Sequence, residues 1–389
     1  MLKNNEPCRL AQPALSLGIL QPLKNQPTYI PGLDVLRGIA ILMVLLWHVV
    51  FYPLSQQVPH AGMAWLNWLG SWLWAGVDLF FVLSGFLIGR ILLSHQHIPG
   101  FWKRFYIRRF IRIVPPYALL LLGFVVAMYA GVPSVFPWLT VSAFPTYSYL
   151  CFIQNYWVTD HFFGANWLAP TWSLAVEEQF YLLMPWLIFW IPKKWLPRVL
   201  IAGMLAALLF RFLLYPGIEA YTWLPARMDG LLMGVLLAWL WLNNGFQYSR
   251  QLSKRMLWLL LLLLGICLLY TSLWKAELGA PLLHSLLLLL FASAVCWVLL
   301  QPVQPIGNRL LRWLAALGQI SYGVYLWHQP VNGLVHLLLG HAEPQLQSGT
   351  DLLAAIAIMG ITCLWAYLLY RWMERPLLQW GARRFGYEG

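Results

Sequence analysis

Long apolar runs alternate with short polar and often basic interruptions along almost the whole chain. A helix needs about 20 mostly apolar residues to cross a bilayer. Ten segments meet that pattern: 34–54, 73–94, 114–131, 170–191, 197–215, 224–243, 256–273, 281–300, 318–340 and 351–372. The expected fold class is therefore all-α, a polytopic integral membrane bundle of about ten transmembrane helices. The longest interruption, 132–169, carries Trp138, Tyr147, Tyr149, Tyr156 and Trp157, and suits interfacial or re-entrant helix. No internal repeat, low-complexity tract or soluble domain is visible.

The basic residues of the interruptions set an orientation. Arg90, Lys103, Arg104, Arg108, Arg109 and Arg112 lie around the second interruption. Lys193, Lys194 and Arg198, then Arg250, Lys254 and Arg255, then Arg309 and Arg312 fill alternate ones, and the tail carries Arg375, Arg383 and Arg384. The opposite segments 55–72 and 132–169 contain no Lys or Arg, and Lys275 is the one basic residue on that side. Cytoplasmic loops accumulate Lys and Arg, so both termini and loop 95–113 are expected in the cytoplasm of a bacterial inner membrane protein.

Composition agrees with lipid as the solvent. Of 389 residues 61% are hydrophobic and 10% charged, against about 25% charged in soluble domains. The net charge of +12 falls in clusters between apolar runs, the arrangement that faces anionic lipid, and nucleic acid is excluded as a partner. Cys8, Cys151, Cys267, Cys296 and Cys363 show no CxxC spacing, so neither a disulfide framework nor a metal site is expected. Residues 1–30 are polar and broken by Pro7, Pro13, Pro22 and Pro27; they read as a cytoplasmic N-terminal segment without a cleaved signal peptide.

Ionisable residues inside spans are costly and mark function. Arg37 and His48 are eleven residues apart on the first span, which places them on one face and about 16 Å apart along the axis. Glu177 lies seven residues into the fourth span, about 10 Å from its outer end. His48 is at similar depth by the same count, so an imidazole–carboxylate pair is expected, the carboxylate orienting the ring. Asp78, Arg211, Arg227 and Asp229 fall in the outer third of their spans, either as structural pairs or together as a polar cavity open to the outside. Ser321, Tyr325 and His328 form one polar stripe on the ninth span, for hydrogen bonding between helices or for a site. Arg109 and Arg112 share a face where the third span begins and suit either phosphates or topology. His95 and His97 lack carboxylate or thiol neighbours and read as solvated loop residues.

Several segments, in order, resemble the acyltransferase-3 family of membrane O-acyltransferases over about residues 30–376. They are Gly32–Gly38 with His48 (an R-x10-H arrangement), Gly76-Val77-Asp78 through Gly85-Phe86-Leu87-Ile88, and Arg109-x-x-Arg112. Thr171-Trp172-Ser173-Leu174 through Glu177-Glu178-Gln179-Phe180-Tyr181, Arg227-Met228-Asp229, and Ser321-Tyr322-Gly323-Val324-Tyr325-Leu326-Trp327-His328 complete the set. The resemblance implies a transmembrane acyltransferase domain over 31–376, followed by a cytoplasmic tail at 377–389. It implies transfer of an acyl group, usually acetyl, from cytoplasmic acyl-CoA to a hydroxyl of an extracytoplasmic glycan or small molecule. It also implies that Arg37, His48, Arg109 and Arg112 are essential. Some relatives add a periplasmic hydrolase-like domain; with the sequence ending at Gly389, transfer is expected to be completed alone or with a separate periplasmic partner.

On this reading Arg37, Arg109, Arg112 and Arg90 hold the CoA phosphates. His48, with Glu177 and Arg37, forms the catalytic group, His48 taking the acceptor hydroxyl's proton. Asp78, Ser84, Trp172, Arg227, Asp229, Tyr325 and His328 are the substrate-binding candidates, with Ser84, Trp172 or Tyr325 as donors to the oxyanion. Direct transfer and a covalent acyl intermediate both remain open, as do acetyl and a longer acyl group. Two rivals are a non-enzymatic transporter of a glycan or lipid-linked sugar and the other large class of membrane acyltransferases. The first predicts paired repeats and matched broken helices, which are not seen; the second predicts a different motif order.

Overall fold

The structure is a computed structural model that describes residues 29–56, 70, 72–141, 144–243, 250–273, 280–302 and 306–387. Most of the N-terminal segment, most of 55–72, Lys275 and Cys8 lie outside the described residues. All regular structure among the described residues is helical. In chain order the long helices are α1 (Pro31–Ser55), α2 (Leu73–His95), α3 (Phe101–Tyr129), α4 (Thr171–Trp190), α5 (Leu196–Leu214) and α6 (Leu224–Leu242). They continue with α7 (Arg250–Leu273), α8 (Pro281–Leu299), α9 (Arg309–Gln319), α10 (Ser321–Leu338) and α11 (Gly349–Arg384).

Each of the ten expected spans is found as helix, yet among the described residues only eight are long and apolar enough to cross a membrane by composition. The other two are α4 and α10, with 20 and 18 residues. They carry Glu177, Glu178 and Gln179, and Ser321, His328, Gln329, Asn332 and His336, which lower their mean hydropathy. Lipid tolerates such helices only when the polar face is turned inward. In α4 this is visible: Leu182, Leu183, Trp186, Phe189 and Trp190 are exposed, while Thr171 through Val176 are buried.

The basic cluster assigned to loop 95–113 is instead helical. α3 begins at Phe101, after Gly100 in the left-handed region (φ 71°), and runs 29 residues through Pro115 and Pro116. The prolines and the charges read as a boundary in the sequence. Phe101 and Phe105 nevertheless repeat at helical spacing and are buried, and Arg and Lys are good helix formers. Lys103, Arg104, Arg108, Arg109 and Arg112 thus become rigid positions on one helix.

α9 is short and amphipathic, with Leu314, Ala315, Leu317 and Gly318 buried and Leu310 and Trp313 exposed. Asn308 caps it, accepting from the Leu310 backbone N–H at 2.8 Å. It lies against α1 so closely that a side chain at Gly38 or Gly318 would run into the backbone of the other helix.

Two π-helical turns interrupt the long helices, Trp47–Phe51 in α1 and Tyr370–Glu374 in α11. Each lies just before a proline, Pro53 and Pro376. Proline donates no N–H and crowds the carbonyl four residues back, so the helix widens there. After the second turn, the segment expected as a tail continues as helix to Arg384 and packs on α3. Arg104 donates to the Gly386 carbonyl at 3.1 Å, and the Arg108 guanidinium sits 4.5 Å from the Tyr387 ring centroid.

The 132–169 segment contains short helices at Val132–Val135, Thr146–Leu150 and Gln154–His161. Amide side chains bind it to the bundle. Gln154 donates to the Thr171 carbonyl (2.9 Å), Asn155 to that of Thr222 (3.1 Å) and Gln179 to that of Phe152 (2.7 Å). Consequently α4 does not start at a surface. Its whole first turn is buried beneath this segment.

Candidate functional site

Three elements converge on a cavity of about 100 Å³: Arg37 from α1, Arg109 and Arg112 from α3, and Glu177 and Tyr181 from α4. Ser84 of α2, Ser173 of α4, and Ser321, Tyr322 and Tyr325 of α10 complete its polar lining. A second cavity of about 410 Å³ adjoins it, with Arg37, Leu87, Arg112, Ser321 and Tyr322 on both walls. Arg90, Asp34, Tyr29, Gln319 and Glu374 line the second one. The four arginines chosen as donor-binding candidates therefore meet around two connected spaces.

The charge there is unbalanced. Arg37 lies 3.4 Å from Asp34, but Arg109 and Arg112 make no ion pair among the described residues. Glu177 is committed elsewhere, accepting from the Tyr181 hydroxyl (2.5 Å) and the Ser84 hydroxyl (3.2 Å). Two unpaired guanidiniums in a confined space favour an anionic ligand with several acceptor oxygens.

The expected Glu177–His48 pair does not form. Glu177 is within Coulombic reach of Arg37 and Arg112. The depth count failed because α4 begins inside the bundle, so seven residues from its first turn is not seven residues from the surface. His48 sits on the first π turn instead, and its ring lies 4.8 Å, centroid to centroid, from that of His328.

The geometry fixes both tautomers. His48 Nδ1 is 3.0 Å from the Val44 carbonyl, and His328 Nδ1 is 2.7 Å from the Tyr325 carbonyl. A carbonyl only accepts, so each Nδ1 carries a proton, and either ring in its neutral form has its lone pair at Nε2. His328 is fully buried, and its Nε2 has no hydrogen-bond partner among the described residues.

Tyr325 stands between the two places. Its hydroxyl donates to the Pro170 carbonyl at 2.8 Å and lies 2.6 Å from the Ser173 hydroxyl. Its ring lines the smaller cavity and faces His328 at 5.8 Å.

Asp78, Arg227 and Asp229 are placed differently from the expected outward-facing cavity. Arg227 donates to Asp78 at 2.8 Å and to His284 Nδ1, and Arg211 pairs with Asp229. Arg211, Arg227 and His284 are at most 1% exposed, and none of these residues lines either cavity just described. Two arginines and two aspartates balance in charge. Trp172 is likewise packed, against Phe81 and Tyr221, and does not line the cavities. His284 was missed as a partner because nothing near it in sequence is ionisable. Tyr181 carried a readable signal, its i,i+4 spacing from Glu177. His95 stacks on Tyr387 at 4.9 Å rather than standing in solvent. Among the described residues no three His, Cys, Asp or Glu side chains assemble as a metal-ligand set.

Comparison with known proteins gives three findings. Residues 30–371 match the family described as an acyltransferase domain, acyltransferase-3. The chain is 30% identical over 388 residues to a putative peptidoglycan O-acetyltransferase, YrhL, of Bacillus subtilis, covering 92% of this chain and 56% of that one. It is 30% identical over 376 residues to the peptidoglycan O-acetyltransferase OatA of Listeria monocytogenes (90% and 56%). It is 28% identical over 394 residues to the O-acetyltransferase OatA of Staphylococcus aureus (93% and 59%). The chain thus spans a little over half the length of these curated relatives. No solved structure matches it.

Proposed function

Because the chain belongs to the acyltransferase-3 family and is a multi-pass membrane protein, we propose that it moves an acetyl group from cytoplasmic acetyl-CoA to a hydroxyl of a cell-envelope glycan. Peptidoglycan is the favoured acceptor, since that is the glycan named for relatives in two organisms. The observation that carries the donor assignment is the arginine-rich double cavity with two guanidiniums unpaired. The small inner space favours acetyl over longer acyl groups. The Lys and Arg distribution supports a cytoplasmic location for both termini, and hence a cytoplasmic mouth.

In the proposed reaction Arg109, Arg112, Arg37 and Arg90 hold the phosphates, and the pantetheine arm enters the inner cavity. His48 Nε2 takes the proton of the acceptor hydroxyl, whose oxygen bonds to the thioester carbonyl carbon. The C–S bond then breaks, and the proton passes to the leaving thiolate to give CoA. His48 requires no carboxylate for this, since the Val44 carbonyl already holds it in the base tautomer. Ser84 and Tyr322 are the oxyanion donors in this proposal; their hydroxyls line the cavity and donate to Glu177 and to the Ile113 carbonyl, so each must turn from that acceptor to the developing charge.

His48→Ala tests the base. A general base contributes about 10²–10⁴-fold, so acetyl transfer per folded molecule falls by that factor while acetyl-CoA binding stays at the parent level. Parent-level specific activity in this variant removes His48 from the chemistry and reinstates transport as the leading reading.

A further inference from the structure

The donor cavity and the histidine pair are neighbours, yet neither His48 nor His328 lines the cavity. One side chain touches both. Tyr325 lines the cavity, its ring centroid lies 5.8 Å from that of His328, and the His328 ring lies 4.8 Å from that of His48. A contact path from a thioester in the cavity to a base at His48 therefore runs through the side chains of Tyr325 and His328.

That ring is held by two hydrogen bonds, both to the start of α4. The Tyr325 and Ser173 hydroxyls both lie within hydrogen-bond distance of the Pro170 carbonyl, at 2.8 and 3.3 Å, and 2.6 Å from each other, a bond in which either can be the donor. Both bonds join neutral groups, and each such bond contributes about fivefold to an equilibrium. The ring is latched, but by an amount that thermal motion and a bound donor can overcome.

We infer that Tyr325 is a movable partition between the thioester and the histidine pair, a positioning residue that couples acyl transfer to the acceptor. The inference rests on the donor and base assignments proposed above. Closed, the partition keeps water that reaches the histidine pair away from the thioester. Open, it lets the thioester carbonyl meet the oxygen activated at His48. If it stands open without acceptor, water takes the acceptor's place. Its oxygen bonds to the carbonyl carbon, the C–S bond breaks, and acetate and CoA result. Coupling is thus the property Tyr325 controls, and a purely structural tyrosine would leave it unchanged.

The test uses the full chain in nanodiscs. Thiol release from acetyl-CoA is measured without acceptor, and acetyl transfer is measured with a soluble peptidoglycan glycan fragment. Ser173→Ala removes one latch bond, Tyr325→Phe removes both, and Tyr325→Ala removes the ring. The ratio of hydrolysis to transfer is expected to rise in that order, about fivefold for the first and about 25-fold for the second if the two bonds act independently. Two outcomes overturn the inference. One is the parent ratio in a Tyr325→Ala protein that is monodisperse and binds acetyl-CoA normally. The other is a Tyr325→Phe protein that binds acetyl-CoA but has lost both thiol release and transfer, which would make the phenol oxygen a reacting group. Should Tyr325→Ala not fold, the other two variants decide by the same ratio. A parent protein that neither binds acetyl-CoA nor releases its thiol sinks the donor assignment, and the partition with it.

Discussion

Two clusters of charged side chains sit in the same helical bundle and are built on opposite principles. Around Asp78, Arg227, His284, Arg211 and Asp229, opposite charges balance and the groups are almost wholly buried. Around the two cavities four arginines, Arg37, Arg90, Arg109 and Arg112, face three acids, Asp34, Glu177 and Glu374, so cation exceeds anion by one and the groups border open space. A bundle in lipid bears a buried charge only when it is paired and hydrogen-bonded. The first cluster meets that demand by itself, so it holds α2, α5, α6 and α8 together. The second does not, and the missing counter-charge is what the proposed donor would supply. Charge balance, more than mere presence of charge in a span, is what sets the two clusters apart.

The contrast breaks most visibly in the balanced cluster. Removing one partner of a buried pair leaves the other uncompensated, at about 3–5 kcal/mol. Arg227→Ala and Asp78→Ala are therefore expected to lose most of their folded, monodisperse protein. Fluorescence-detected size exclusion and thermal unfolding in detergent measure this. Arg227→Ala protein that folds to parent yield and unfolds at the parent temperature, but fails to bind acceptor, would return this cluster to the substrate site.

In the unbalanced cluster the same kind of change has the opposite signature. Arg109 and Arg112 form no ion pair among the described residues, though Glu178 lies within Coulombic reach of the first and Glu374 of the second, so in Arg109→Ala or Arg112→Ala yield and thermal stability should fall less than in the balanced cluster. Acetyl-CoA binding weakens by about 1.5–3 kcal/mol for each charge-assisted hydrogen bond removed, roughly 10- to 150-fold in Kd. The effect should shrink with dephospho-CoA if the arginine serves the ribose phosphate. Parent affinity in both variants would show that these guanidiniums face lipid headgroups and not the donor.

How much of this contrast was legible in the sequence depends on what lipid enforces. Apolar runs located the long helices because lipid demands satisfied backbone and apolar surface, and even α4 and α10 kept enough of it to be found. Arg109 and Arg112 were readable as one face, since that follows from helical periodicity. The depth of Glu177 was not, because sequence measures distance along α4 and not where α4 begins in the bundle. Nor was His284, whose partners Asp78 and Arg227 are 206 and 57 residues away in sequence. The helical start of α3 was hidden by Pro115 and Pro116, which normally signal an end. The π turns did leave a trace, the prolines at 53 and 376, and they position His48 and Glu374.

The smallest expected effect sharpens the contrast most, because its sign is opposite to that of the arginines. Glu177 is the anion of the inner cavity, and it is held by Tyr181 and Ser84, not by an arginine. A negative charge there opposes the phosphates of the donor. Glu177→Gln keeps the shape and an acceptor oxygen but removes the charge, so acetyl-CoA binding should tighten. At the separations of such a cavity the gain is roughly 1 kcal/mol or less, a severalfold drop in Kd that fades as salt is raised. Transfer should fall nonetheless, because the carboxylate that orders Tyr181 and Ser84 beside the thioester is gone. Titration of the variant with acetyl-CoA at low and high salt, beside Arg109→Ala, makes the measurement. Weaker binding in Glu177→Gln, of the size seen for Arg109→Ala, would mean that the carboxylate positions the arginines and belongs to the clamp. Tighter binding with slower transfer would place it on the reaction side of the cavity, as an anion tolerated among cations for what it orients.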